Sequence, residues 1–149
     1  MSKQDEAGLI LRLYELRREE VMRKARDWFF SEFHPESMED YTKALFSEHS
    51  NYVRMVPTYW EMAAALVNHG AISMEMFNDT NGEHIGVFAK IEPLLPQLRA
   101  SYAPDAFKSL EKLIDSTPDG RKKVAAMRER MKAIRAQVQS QRVAAAKGA

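Results

Sequence analysis

No cysteine occurs in this chain. Disulfide scaffolds, thiolate metal sites and a cysteine nucleophile are therefore excluded, and the absence suits a cytoplasmic protein. Glycine and proline are scarce, six of each in 149 residues, which excludes a linker-rich or low-complexity polypeptide. Long apolar runs are missing too. The densest, Met62 to Val67, falls far short of the ~20 residues needed to cross a bilayer. The apolar patch near the N-terminus is broken by Arg12 and Glu15 and has no small-residue cleavage site behind it, so neither a leader nor a membrane anchor is expected. No period-two alternation bounded by turn residues appears, and no strand is expected.

The familiar chemical signatures are equally scarce. There is no phosphate loop, no dinucleotide fingerprint and no Gly-x-Ser-x-Gly elbow. Di-iron bundles need Glu-x-x-His motifs. The residues three before His34, His49, His69 and His84 are Ser31, Phe46, Leu66 and Asn81, none a carboxylate. No metal and no cofactor is expected, no residue is nominated as catalytic, and the protein is read as a non-enzyme.

What is present is helical periodicity, with charges segregated along the chain. Residues 1–36 carry a net −1 and residues 37–117 a net −5, whereas residues 118–149 hold nine Lys and Arg against two Asp and Glu. The simplest reading lays the basic end against the acidic middle, in the same molecule or in a neighbour. In that basic segment Val124, Met127, Met131, Ile134 and Val138 fall at spacings of three and four, a heptad seam on one helix face. Arg128, Arg135 and Arg142 flank it. Parallel self-pairing through this seam would set cation against cation, so docking on an acidic apolar surface is favoured. These eight residues are the candidate partner-binding set. Nonspecific nucleic-acid binding is an alternative, because a basic helix neutralises phosphates. No aromatic follows Phe107, however, so single-strand stacking has no platform there.

The rest of the chain is read as helices. The first runs from about Asp5 to Phe33, with Ile10, Tyr14, Val21, Ala25 and Trp28 on one stripe, and ends at His34-Pro35. The second begins at Ser37 in a capping-box pattern with Asp40 and continues to Asn68. It carries two stripes: one through Met38, Tyr41, Leu45, Tyr52, Met55, Tyr59, Met62 and Leu66, the other through Val53, Val56, Trp60, Ala63 and Val67. Pro57 within it predicts a kink. Gly70 is placed as a left-handed cap. Ser73 caps a short helix to about Phe77, and residues 78–82 read as a turn. A helix over Glu83 to Tyr102 is expected to bend or split at Pro93 and Pro96. Pro104 opens a helix through Asp115, and Thr117-Pro118 caps the last one. Residues 1–142 form one helical domain, and 143–149 fray.

Two polar residues stand inside the second helix, Arg54 and Glu61, seven apart and hence roughly on one face about 10 Å apart. With Tyr59 they are a candidate small-molecule pocket, the main alternative to a protein-binding function.

The segment from Tyr59 to Ile72 (YWEMAAALVNHGAI), followed by Ile91-Glu92-Pro93 and Arg99, resembles the middle of a bacterial helical family described only as a domain of unknown function. The resemblance covers about residues 52–99. It implies an apolar helix ending in glycine, a short helix, and a proline-bearing helix ending near an arginine. It implies no activity, cofactor or catalytic residue. Members of that family often carry membrane helices, which this sequence does not show.

Taken together, the sequence predicts an all-α irregular bundle of about five or six helices, with long first, second and last helices. The expected function is that of a non-catalytic scaffold, adaptor or assembly protein. A protein partner or self-association is expected, and a membrane is not.

Overall fold

The computed structural model describes residues 2–148. Among these every regular element is helical: α1 (Lys3–Arg17), α2 (Glu20–Ser31), α3 (Met38–Leu45), α4 (Ser50–Asn68), α5 (Met74–Thr80), α6 (Glu83–Ile91), a 3-10 turn (Glu92–Leu94), α7 (Leu95–Ser101), α8 (Lys108–Ser116) and α9 (Gly120–Lys147). The all-α reading holds, but five or six helices is too few, because the two long predicted N-terminal helices are each broken.

The first break falls at Arg18-Glu19. Glu19 turns extended (ψ 145°), and its carboxylate accepts the amides of Val21 and Met22, capping α2. These two bonds hold the Glu19 carboxyl below the usual carboxylate range. The break resets the helical phase. Met22, Ala25 and Phe29 turn inward on α2, while Val21 and Tyr14, which a continuous helix would have buried, are 46% exposed. The second break falls between α3 and α4, at Phe46–His49. The Ser37 hydroxyl accepts from Asp40 as expected, but the Asp40 carboxylate accepts from Glu36 rather than returning to Ser37, so the box is incomplete.

α4 is the centre. It packs most extensively on α2 and α8, with α3 and α6 also against it. Its Val53, Val56, Trp60, Ala63 and Val67 stripe is buried, as the spacing requires. The parallel stripe is half-buried at Tyr52, Met55, Tyr59 and Leu66, but Met62, expected on the same stripe, is exposed. Pro57 lies inside α4 without ending it. At the far end, Gly70 (φ 83°) closes a Schellman motif: its own amide reaches Val67 and that of Ala71 reaches Leu66. Ser73 caps α5 through the Met76 amide, and α5 runs on to Thr80, three residues beyond the expected end. The prolines split the next segment as expected, into α6, the 3-10 turn and α7.

The start of α8 differs from expectation. Pro104 to Phe107 form turns, and the helix begins at Lys108 after Phe107 adopts a left-handed conformation (φ 56°) that buries its ring. Thr117 does not cap α9. It ends α8, its hydroxyl donating to the Leu113 carbonyl at 2.8 Å. The chain then doubles back so tightly that a Cβ on Gly120 would stand 1.8 Å from the Ile114 carbonyl oxygen. Only glycine fits there, and α9 starts at that residue.

α9 packs on α6 and α8. It is helical to Lys147; Ala149 lies outside the described residues.

The candidate docking helix and its groove

α9 divides into two unlike halves. In the first, Val124 is completely buried, and Met127, Arg128 and Met131 are half-buried. From Lys132 to Gly148 every residue is exposed. Length explains the division. α9 has 28 residues and its platform α6 only nine, about 42 Å against about 14 Å at 1.5 Å per residue. The helix outruns what it rests on.

Charge follows the same division. Arg121 pairs with Asp115 (2.6 Å), Glu92 (2.6 Å) and Glu111 (3.0 Å), and lies over the Phe88 ring. Arg128 pairs with Glu92 and donates to the Ala89 carbonyl. Arg99 holds Glu111 from the other side at 3.0 Å. These cations keep the Glu111 and Asp115 carboxyls below the usual range, against the opposing effect of burial. The expected contact between the basic end and the acidic middle is thus made within the molecule, by the first half of α9. Beyond it stand Lys132, Arg135, Arg142 and Lys147, with no carboxylate among residues 130–148.

The overhanging half forms one wall of an open groove of about 840 Å³. Its apolar lining comes from Met131, Ile134, Val138, Val143 and Ala146 on α9 and from Phe30 on α2. Ile134 is 52% exposed, Val138 41% and Val143 49%. The α9 positions follow the 3.6-residue period of a straight helix rather than a strict heptad. That is why the predicted seam stops at Val138 while the groove wall continues to Val143 and Ala146.

At the base of the groove Phe30 and Met131 both rest on Gly86 of α6. Beside them lies Lys90, 9% exposed. Its ammonium donates to the Phe29 carbonyl (2.9 Å) and the Phe33 carbonyl, closing the C-terminal end of α2, and it sits over the Phe29 and Phe30 rings. Its third contact is His34 Nδ1, at 3.3 Å, while His34 Nε2 lies 3.1 Å from the Ser31 carbonyl. This network assigns the neutral ring with its proton on Nε2. Burial lowers the Lys90 ammonium to about 8, and the charge of Arg135 adds to the effect. Burial first, and the Lys90 charge second, also lowers His34. The opposite wall is acidic. Asp27 and Glu32 line the groove, and Glu32, Glu36 and Asp40 continue into a shallower hollow that Arg135 also borders.

The residues proposed for a small-molecule pocket are not assembled into one. Arg54 is exposed and bonds locally to the Ser50 carbonyl and the Asn51 side chain. Tyr59 donates to the Leu13 carbonyl, and burial raises its hydroxyl to about 12. Both Glu61 oxygens are engaged, accepting the Ser109 amide (3.1 Å) and the Leu110 amide (2.7 Å). Glu61 is thus the N-cap that α8 lacks in its own sequence.

Two features escaped sequence reasoning. Glu83 gathers Arg26 (2.9 Å) and Trp60 Nε1 (2.9 Å), with Arg17 at 4.0 Å, fastening α2 and α4 to the start of α6. Next to it His84 is 1% exposed against Trp60 and Phe77, with neither ring nitrogen hydrogen-bonded, and burial lowers it to about 4. No local pattern marks either, since their partners lie more than 20 residues away or on other helices. Among the described residues no group of three or more His, Asp or Glu is placed to hold a metal ion, and no helix is long and apolar enough to cross a membrane.

A family model for a domain of unknown function, DUF4760, matches residues 5–117. The chain belongs to that family. The match spans α1 to α8 and stops before α9, so the matched domain is the body of the molecule and α9 lies outside the matched residues. The earlier resemblance over residues 52–99 falls within the match. No curated protein and no solved structure gives a significant match.

Proposed function

We propose that this protein is a non-catalytic assembly or adaptor protein that binds another protein chain through the overhanging half of α9. The observation that carries the reading is the change of character at Met131. Before it, the helix buries Val124, half-buries Met127 and Met131, and pairs Arg121 and Arg128 with carboxylates of the body, while Lys122, Lys123 and Arg130 face outward. After it, the same amphipathic pattern continues, uncovered, beside a groove whose apolar lining includes Phe30, Ile134, Val138 and Val143.

Exposed apolar surface of this kind, rimmed by charge, is characteristic of interaction sites. A helix in a groove is also a recurrent mode of protein recognition. The shape argues against the two other partners a basic amphipathic helix could take. The apolar residues line one side of a groove that also has a wall on α2, a shape that suits a helix better than a flat lipid surface. The acidic wall of Asp27 and Glu32 beside them repels nucleic-acid phosphates.

A photoreactive residue in place of Val138, introduced in the organism that makes the protein, tests the reading. The expected product on illumination is a covalent adduct with a protein chain. No protein adduct at Val138, or an adduct with nucleic acid in its place, overturns it.

A further inference from the structure

The groove has walls of opposite charge, and the charges on the two walls do not meet. Among the described residues Asp27, Glu32, Glu36, Arg135, Arg142 and Lys147 form no ion pair, whereas the cations Arg121 and Arg128 of the same helix are all paired. The overhang is therefore a basic apolar helix standing opposite an acidic wall with which it forms no ion pair across its own groove. Another molecule of the same chain carries both surfaces. We infer that the occupant of the groove is the overhang of a second copy, and that two chains exchange overhangs reciprocally. This rests on the docking reading above and names its partner.

Two observations and one consequence of symmetry support a second copy over a foreign helix. First, charge: an acidic helix entering the groove would meet Asp27 and Glu32, while the overhang of another copy brings Lys132, Arg135, Arg142 and Lys147 to them. Second, length: residues 132–147 extend about 24 Å and α2, with 12 residues, about 18 Å. One overhang therefore runs the length of the partner's α2 and reaches Glu36 at its end. Third, closure: reciprocal exchange is two-fold, so every contact is made twice and the assembly ends at two chains. The arrangement also avoids the repulsion of a parallel coiled coil, because each basic helix gains an acidic neighbour on the partner's α2 besides its apolar contact with the partner's α9. It covers Ile134, Val138 and Val143 in both copies.

The test is the mass of the full chain in solution by light scattering, for the unaltered protein, for D27K/E32K, for R135E/R142E, and for an equimolar mixture of the two variants. Two chains are expected for the unaltered protein. Each charge-reversed variant alone sets like charges together, and its dimer should dissociate at least roughly tenfold more readily. The mixture restores opposite charges at both contacts, and the two-chain mass should return. The reversed side chains are exposed and unpaired, so thermal melts should stay within a few degrees of the unaltered protein.

A second measurement does not depend on variants. Carbodiimide joins amines to adjacent carboxylates without a spacer. In a mixture of isotopically light and heavy protein, it should link Lys132 or Lys147 of one isotope to Asp27, Glu32 or Glu36 of the other. A monomer at the highest soluble concentration, or a mixture that stays monomeric beside a dimeric unaltered protein, overturns the exchange. If the chain is monomeric and the photoreactive Val138 captures a different protein, the second-copy proposal falls and the docking reading stands. If it captures none, both fall.

Discussion

The two halves of α9 share composition and periodicity and differ in almost everything else. Residues 120–131 are part of the body: Val124 is buried, Arg121 and Arg128 hold three carboxylates between them, and Met131 rests on Gly86. Residues 132–147 continue the amphipathic pattern, and among their cations Arg135, Arg142 and Lys147 have no carboxylate against them, while Lys132 meets only Glu129 of its own helix. An amphipathic pattern states that a face needs covering. It does not state what covers it. Here one pattern is satisfied twice by different means, first by the chain's own α6 and α8 and then, in the reading proposed above, by another chain.

Truncation should break the comparison most sharply. Ending the chain after Gly120 removes Val124, Arg121 and Arg128 and uncovers α6, and cooperative unfolding should be lost. Ending it after Lys132 should leave the thermal transition of the body intact while abolishing self-association. Circular dichroism melts and light scattering on the two truncations check this. Equal behaviour would show that the division at Met131 has no energetic meaning.

The next largest effect belongs to the body alone. His84 titrates near 6.5 in the unfolded chain and near 4 when folded. Between those values the unfolded chain binds more protons, so stability is lost as the pH falls from about 6.5 to 4, by roughly 3 kcal/mol at most. Urea titrations across that range should show the loss in the full chain and in the truncation after Lys132 alike. His84→Leu should flatten it. A pH profile unchanged by that substitution would refute the assignment.

Single side chains sharpen the contrast within α9. Val124→Ala removes two buried methyl groups and should cost about 2 kcal/mol. Val138→Ala should change monomer stability by less than about 0.5 kcal/mol and weaken association instead. The last test concerns the rival site. Glu61→Gln leaves one of two helix-end amides of α8 without its carboxylate partner and should cost about 1 kcal/mol, read as a shift in the denaturation midpoint. No shift would mean that the cap carries no energy.

Local chemistry made much of this fold legible in advance. Gly70, Ser73, Pro93 and Pro96 act where helix-end rules put them, and the Val53 to Val67 stripe is buried as its spacing demands. The errors have a common cause. Glu15, Arg18, Glu19 and Arg23 sit at helical spacing, yet Glu19 spends its carboxylate on the amides of α2 and ends α1. Thr117-Pro118 has the chemistry of a helix start, but the close approach of Gly120 to Ile114 moves that start on. Glu61 resembles a pocket residue from its place in an apolar helix. Its actual role, capping α8, depends on residues 48 and 49 positions away.

The amino-acid sequence by itself determined the all-helical class, the central helix, most helix ends and the amphipathic, basic character of the last helix, because these follow from backbone preferences and periodicities within a few residues. Only the tertiary structure decided where α9 leaves its support, which cations find carboxylates, and that an acidic wall on α2 stands across a groove from the overhanging basic half. Those facts depend on the relative lengths and placement of helices far apart in the chain. A 28-residue helix on a nine-residue platform must overhang, and no local spacing records how long its neighbour will be.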